Sequence, residues 1–64
     1  MELSQEDMAV MSVIKAMQEM GLTVVSTATE LGTGSIHIRG KRGDGVKIVA
    51  IVDTQGRAYY DIQN

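Results

Sequence analysis

Cysteine, proline, tryptophan and phenylalanine are absent from this 64-residue chain, and histidine occurs once. Without cysteine the chain cannot form a disulfide, and a single histidine does not supply the ligand set of a structural zinc site. We therefore predict no metal and no cofactor. A domain of this size buries only about 60% of the surface of its unfolded chain, so its stability is expected to be marginal. Self-association or a permanently bound protein partner therefore remains as the source of additional stability.

Long apolar runs are absent as well. No segment approaches the roughly 18 to 20 apolar residues that a membrane-spanning helix needs, and the acidic N-terminal segment lacks the features of a signal peptide. We therefore predict a cytoplasmic protein with no membrane partner. The formal net charge of −2 argues against general nucleic-acid packaging. Acidic residues concentrate in the first half of the chain and basic residues in the second, which indicates a locally positive end or face.

The N-terminal segment has the pattern of an amphipathic helix. Ser4 followed three residues later by Asp7 has the form of a capping box, and the acidic first turn suits the helix dipole. At about 100° per residue, five apolar side chains fall on one side of this helix: Val10, Val13, Ile14, Met17 and Met20. Gly21 then supplies the left-handed residue with which helices commonly end.

Four later segments have the composition or alternation of β-strands. They are 22–27, with an extension toward residue 31 left open, 35–39, 46–53 and 58–62, separated by glycine-containing turns at 32–34, 40–45 and 53–57. Parallel strands would need crossovers of about a dozen residues or more, and these turns are too short. The sequence therefore predicts one α+β domain over residues 1–64. Its N-terminal helix packs on one face of a four-stranded antiparallel sheet, in the order α-β-β-β-β.

The third predicted strand is apolar on both of its faces. One side carries the even-numbered residues of 46–52 and the other carries Lys47, Val49 and Ile51. Because one helix covers one face, we expect Val49 and Ile51 on the open face, joined by Tyr59 or Tyr60. This face is either an interface, for a homodimer or a protein partner, or a small patch shaded by the stems of Lys47 and nearby arginines.

Met8 and Met11 fall on the flank of the predicted helix, away from its main apolar stripe. Methionine adapts to varied surfaces and is frequent at binding sites. We therefore add both residues to the predicted protein interface. The alternative is that they are partly exposed helix formers.

His37 is the only imidazole, and strand alternation directs it away from the helix. A histidine at such a position is usually solvated or paired across strands. However, the run Gly34, Ser35, Ile36, His37, between a helix that ends at Gly21 and a glycine-containing hairpin, resembles the HicA family of toxin ribonucleases. The resemblance spans roughly residues 14–52. It implies a double-stranded-RNA-binding-domain-like α-β-β-β-α fold, RNA as the partner and a catalytic role for His37.

Arg39, Lys41 and Arg42 form a basic cluster at the second glycine-rich turn. Charge and backbone N–H groups there are suited to phosphate contacts, although turns commonly carry charged residues and no aromatic side chain interleaves for base stacking. No nucleophile and base can be paired from their spacing. We therefore favour a non-catalytic protein-binding module that self-associates through the open sheet face. The alternative is an RNA-binding protein or ribonuclease that uses His37 and the basic cluster.

Overall fold

The computed structural model describes residues 2–63, which form one helix and four strands. The elements are α1 (Gln5–Glu19), β1 (Thr23–Thr29), β2 (Ile36–Lys41), β3 (Lys47–Val52) and β4 (Ala58–Gln63). The strands form a single antiparallel sheet in the order β1-β2-β3-β4. The predicted α+β class and order of elements are therefore confirmed.

No helix within residues 2–63 combines the length and the apolar character needed to span a bilayer.

Both ends of α1 are capped by the residues that the sequence indicated. The Ser4 hydroxyl oxygen accepts a hydrogen bond from the Asp7 backbone N–H at 3.0 Å, which satisfies one of the free donors of the first turn. At the other end Gly21 has φ 82°, and the Leu22 N–H donates to the Met17 carbonyl oxygen at 2.9 Å. This return bond is the C-terminal closure that a left-handed glycine permits.

The core lies between α1 and the face of the sheet that the helix covers. Its buried side chains are Val13, Met17, Leu22, Ile38, Ile48, Ala50 and Val52. Strand alternation accounts for the last four, because residues two apart project from the same face. The helix packs over β1, β2 and β3.

The structure corrects the bounds of the first two strands and the position of Gly40. β1 ends at Thr29, short of residue 31, and β2 continues to Lys41. Gly40, expected in the hairpin, is a buried residue of β2. A β-carbon at Gly40 would overlap the terminal methyl group of Met17. The strand therefore uses glycine for close helix packing rather than for a turn.

The β2–β3 and β3–β4 turns have the same geometry. In the first, the Gly45 N–H donates to the Arg42 carbonyl oxygen at 3.0 Å, and in the second the Gly56 N–H donates to the Asp53 carbonyl oxygen at 3.0 Å. Gly45 and Gly56 have φ values of 93° and 85°, which an L side chain rarely adopts. The predicted left-handed glycine at position 56 is confirmed. Such three-residue connections hold the flanking strands in a defined register.

Candidate interaction surfaces

Val49 and Ile51 lie on the face of the sheet opposite α1, as expected, and both are half-buried. Their cross-strand neighbours shade them: Val49 lies between Arg39 and Asp61, and Ile51 lies between His37 and Tyr59. The exposed apolar side chains of this open face are at its margins, with Tyr59 on β4 and Val25 on β1. The centre of the open face is therefore less exposed than its β4 side.

The strand β4 is exposed along its whole length. Tyr60 and Ile62 project on the helix side of the sheet, and 66% of Ile62 is exposed. The helix lies over the other strands and leaves these side chains uncovered. Between them and α1 runs an apolar groove of about 360 Å³, lined by Ala16, Met20, Ile48, Tyr60 and Ile62. Met20, expected in the core, contributes to this groove instead and is exposed.

From the sequence, Tyr60 is predicted on the open face only as an alternative to Tyr59, and Ile62 is not predicted at an interface. Their shared position beside α1 depends on where the helix crosses the sheet, and strand alternation carries no information about that crossing. The available signal was that β4 holds three large apolar residues, so each of its faces carries at least one of them. A strand with this pattern at an edge exposes apolar area on both sides.

The turn that precedes β4 shows which of its backbone groups point away from β3. The Asp53 N–H donates to the Arg57 carbonyl oxygen at 2.9 Å. Hydrogen bonding alternates along an antiparallel pair, so the outward N–H and C=O groups of β4 belong to Ala58, Tyr60 and Ile62. The register between β3 and β4 has no shift. Within residues 2–63 no strand pairs with this outer edge.

The two edges of the sheet differ in how they are protected. β1 has a register irregularity between Val24 and Ser26, with Val25 as the extra residue. A bulge of this kind disturbs the row of edge groups and hinders pairing with another strand. β4 has no bulge and no proline, and Asp61 is its only charged residue. The β4 edge is therefore the one open to strand addition.

Met8 and Met11 lie on α1 and are exposed, at 50% and 60%. Because the helix covers the opposite side of the sheet from Val49 and Ile51, the methionines do not share one continuous surface with the open face.

His37 lies within hydrogen-bonding distance of Glu30, with 2.8 Å between its Nε2 atom and the Glu30 carboxylate oxygen. Glu30 follows β1 directly, and its side chain is about half exposed. A shallow depression of about 270 Å³ contains both residues together with Arg39. No three His, Cys, Asp or Glu residues among positions 2–63 are grouped closely enough to hold a metal ion. The imidazole thus has a carboxylate partner and a neighbouring guanidinium group.

Arg42 lies next to Lys41 at the β2–β3 turn, and both line a shallow depression there. The Arg42 side chain forms an ion pair with Asp44 at 2.9 Å, within the β2–β3 turn. The carboxylate of Asp44 also accepts the Val46 N–H at 3.2 Å, which ties both charged side chains to the turn. The hydrogen bond from Arg42, with that of Val46, lowers the pKa of Asp44 below its ordinary value. Arg42 therefore differs from Arg39 and Lys41 in having a carboxylate partner among residues 2–63.

Lys47 is a third basic residue on the open face, beside Arg39 and Lys41. Lys41, at the end of β2, and Lys47, at the start of β3, are direct cross-strand partners. Two like charges placed directly opposite each other destabilise a sheet. With Arg39 they line a depression of about 310 Å³ on the open face. No salt bridge joins any of the three to a carboxylate of residues 2–63. From the sequence, Lys47 is predicted only to shade Val49 and Ile51.

Comparison of the chain with protein-family profiles, with curated proteins and with solved structures found no match in any of the three.

Proposed function

We propose that this chain is a non-catalytic protein-binding module that self-associates, with its contact surface on the β4 side of the sheet. The observation that carries the proposal is that every residue of β4 is exposed, together with the apolar side chains on both of its faces. Tyr59 and the half-buried Ile51 extend this surface onto the open face, while Tyr60 and Ile62 extend it toward the groove beside α1.

Two physical arguments support self-association. A chain of 64 residues with no disulfide gains little net stability from its own core. The exposed apolar side chains around β4 would remain in contact with water in a monomer, whereas a second copy removes them from it. Binding to another copy therefore stabilises the fold and covers the surface in one step.

Sedimentation equilibrium tests this proposal, because it measures the mass of the protein in solution and the dissociation constant of a dimer. We expect the wild-type chain to form a dimer and Ile62→Lys to weaken it by at least about tenfold, or about 1.4 kcal/mol, because a lysine is introduced into each half of the contact. Leu31→Lys is the matched control, since Leu31 is 95% exposed in the β1–β2 loop. It should leave the dimer unchanged.

The proposal is wrong if the wild-type chain remains monomeric at high protein concentration. It is also wrong if Ile62→Lys and Leu31→Lys weaken the dimer equally, because the effect would then be one of general solubility. Far-ultraviolet circular dichroism of both variants verifies that each is folded.

RNA binding is the second candidate function, and the opposed pair Lys41 and Lys47 favours it. A phosphate group between the two ammonium groups would relieve their repulsion. Arg39 lines both this basic depression and the one that contains Glu30 and His37. An RNA strand that follows the open face from this depression would reach the His37 and Glu30 pair about four residues, or about 13 Å, further along β2. An imidazole beside a carboxylate is the type of pair that transfers protons in RNA cleavage.

Titration of the chain with single-stranded RNA at low salt tests this candidate, because phosphate contacts are strongest there. Lys47→Ala should reduce RNA affinity, whereas Arg42→Ala should not, since Arg42 is held by Asp44. Absence of binding at low salt would end the RNA candidate. If RNA is cleaved, His37→Ala with undiminished activity would exclude the catalytic role.

A further inference from the structure

One edge of β4 carries backbone N–H and C=O groups that pair with no strand of residues 2–63. The N–H and C=O groups of Ala58, Tyr60 and Ile62 point away from β3, because hydrogen bonding alternates along the strand. An added strand must offer outward groups at the same two-residue spacing. Another β4 strand does so, since it has the same three residues directed outward.

We propose that β4 pairs antiparallel with β4 of a second copy, with Tyr60 opposite Tyr60 of that copy on the two-fold axis. The two four-stranded sheets then form one continuous sheet of eight strands. This inference rests on the proposed self-association and specifies its partner, orientation and register.

Hydrogen bonding selects this register. With the axis at Tyr60, Ala58 lies opposite Ile62 of the second copy, and every outward group of both strands has a partner. An axis at Tyr59 would place Ile62 opposite Gly56, which lies in the β3–β4 turn and outside the strand. The outward backbone groups of Ile62 would then have no strand partner, so one of the three outward-facing residues of each β4 would form no hydrogen bonds between the copies.

Charge excludes the neighbouring register on the other side. An axis at Asp61 would place the two Asp61 carboxylates directly opposite each other, which destabilises a sheet pair. With the axis at Tyr60, Asp61 lies opposite Tyr59 of the second copy instead.

Side-chain size also matches in this register. On the helix side, the large Ile62 is opposite the small Ala58, and the two Tyr60 rings meet beside the groove of each copy. The exposed apolar side chains of this edge are thereby brought together. A partner of unrelated sequence would have to reproduce this alternation of size and charge, whereas a second copy does so by symmetry.

Single cysteines test the register, because the chain contains none of its own. In a hydrogen-bonded antiparallel pair, opposite Cα atoms are about 5.5 Å apart, and the β-carbons are slightly further apart than the roughly 3.5–4.5 Å of an unstrained disulfide. Tyr60→Cys should therefore form a covalent dimer with a short reagent that bridges two thiols. Ile62→Cys is the matched control on the same face: its two copies would be four residues out of register, or about 14 Å apart along the strand. It should stay uncrosslinked.

A charge exchange provides the second test. Tyr59→Asp should weaken the dimer, because it sets two carboxylates opposite each other at both Tyr59–Asp61 pairs. Adding Asp61→Lys should restore dimerisation, since each new aspartate then faces a lysine.

Three results would overturn the pairing, and each has a different consequence. A wild-type chain that is monomeric in sedimentation removes the proposed function and this inference together. A wild-type dimer in which Tyr60→Cys does not crosslink, or crosslinks no faster than Ile62→Cys, removes the edge pairing and leaves self-association standing. A charge exchange that does not restore the dimer removes the register.

Discussion

Gly40→Ala tests the packing of α1 on the sheet. The new β-carbon would overlap the Met17 methyl group and lie 3.5 Å from the Leu22 β-carbon. Overpacking of a filled core costs about 1–3 kcal/mol. The backbone of Gly40 is not in the left-handed region, so alanine recovers about 0.4–1 kcal/mol by restricting the unfolded chain. Subtracting the gain from the cost leaves a net loss of about 0–2.6 kcal/mol. Because Met17 is fully buried, its methyl group has little room to move, and we expect the upper half of that range.

That loss is large for this chain. Folding stabilities of about 0.05–0.15 kcal/mol per residue imply a total of about 3–10 kcal/mol for 64 residues. Urea unfolding should therefore show a clearly lower midpoint with an unchanged slope, since the surface exposed on unfolding is nearly the same.

Two further variants test whether the contact with Met17 causes the loss of stability in Gly40→Ala. Gly43→Ala is the control, because nothing lies within 4 Å of its added β-carbon and its φ is not positive. It should leave the stability unchanged or slightly higher. Met17→Leu removes the terminal methyl group, so in the Gly40→Ala background it should recover part of the loss. If Gly40→Ala costs no more than Gly43→Ala, or if Met17→Leu recovers nothing, the close-packing explanation is refuted.

The helix cap and the β2–β3 turn give two smaller effects. Ser4→Ala should lower the free energy of unfolding by about 1 kcal/mol, measured by urea unfolding, because the Asp7 N–H loses its acceptor; an unchanged midpoint would show that the cap is not used. The pKa of Asp44 should lie below its ordinary value in an NMR titration, chiefly because Arg42 donates a hydrogen bond to it, and Arg42→Gln should raise it. Since the folded-state pKa is the lower one, this stabilisation is present above the pKa of the unfolded chain and lost as the pH falls through the folded value. A titration midpoint that is the same in both proteins would contradict the assignment.

The candidate site could be predicted only in part, and its particular residues show why. The alternation of residues 46–52 was sufficient to place Val49 and Ile51 on the open face. It did not show that Arg39, His37, Asp61 and Tyr59 shade them, because cross-strand neighbours depend on register. For the same reason Lys47 was not recognised as the partner of Lys41. The sequence groups Arg42 with Arg39 and Lys41 but does not predict its ion pair with Asp44, because that pair depends on side-chain geometry within the turn.

The sequence by itself determined the elements and their order. Local signals were sufficient for this: the Ser4 cap, the left-handed glycines 21 and 56, and the short turns that exclude parallel pairing. Only the tertiary structure decided where α1 crosses the sheet, that Gly40 lies beneath Met17, and that β4 is left as an uncovered edge. These features depend on the packing of side chains that are distant in the chain, and a pattern of two or 3.6 residues defines which face is apolar but not which neighbour covers it.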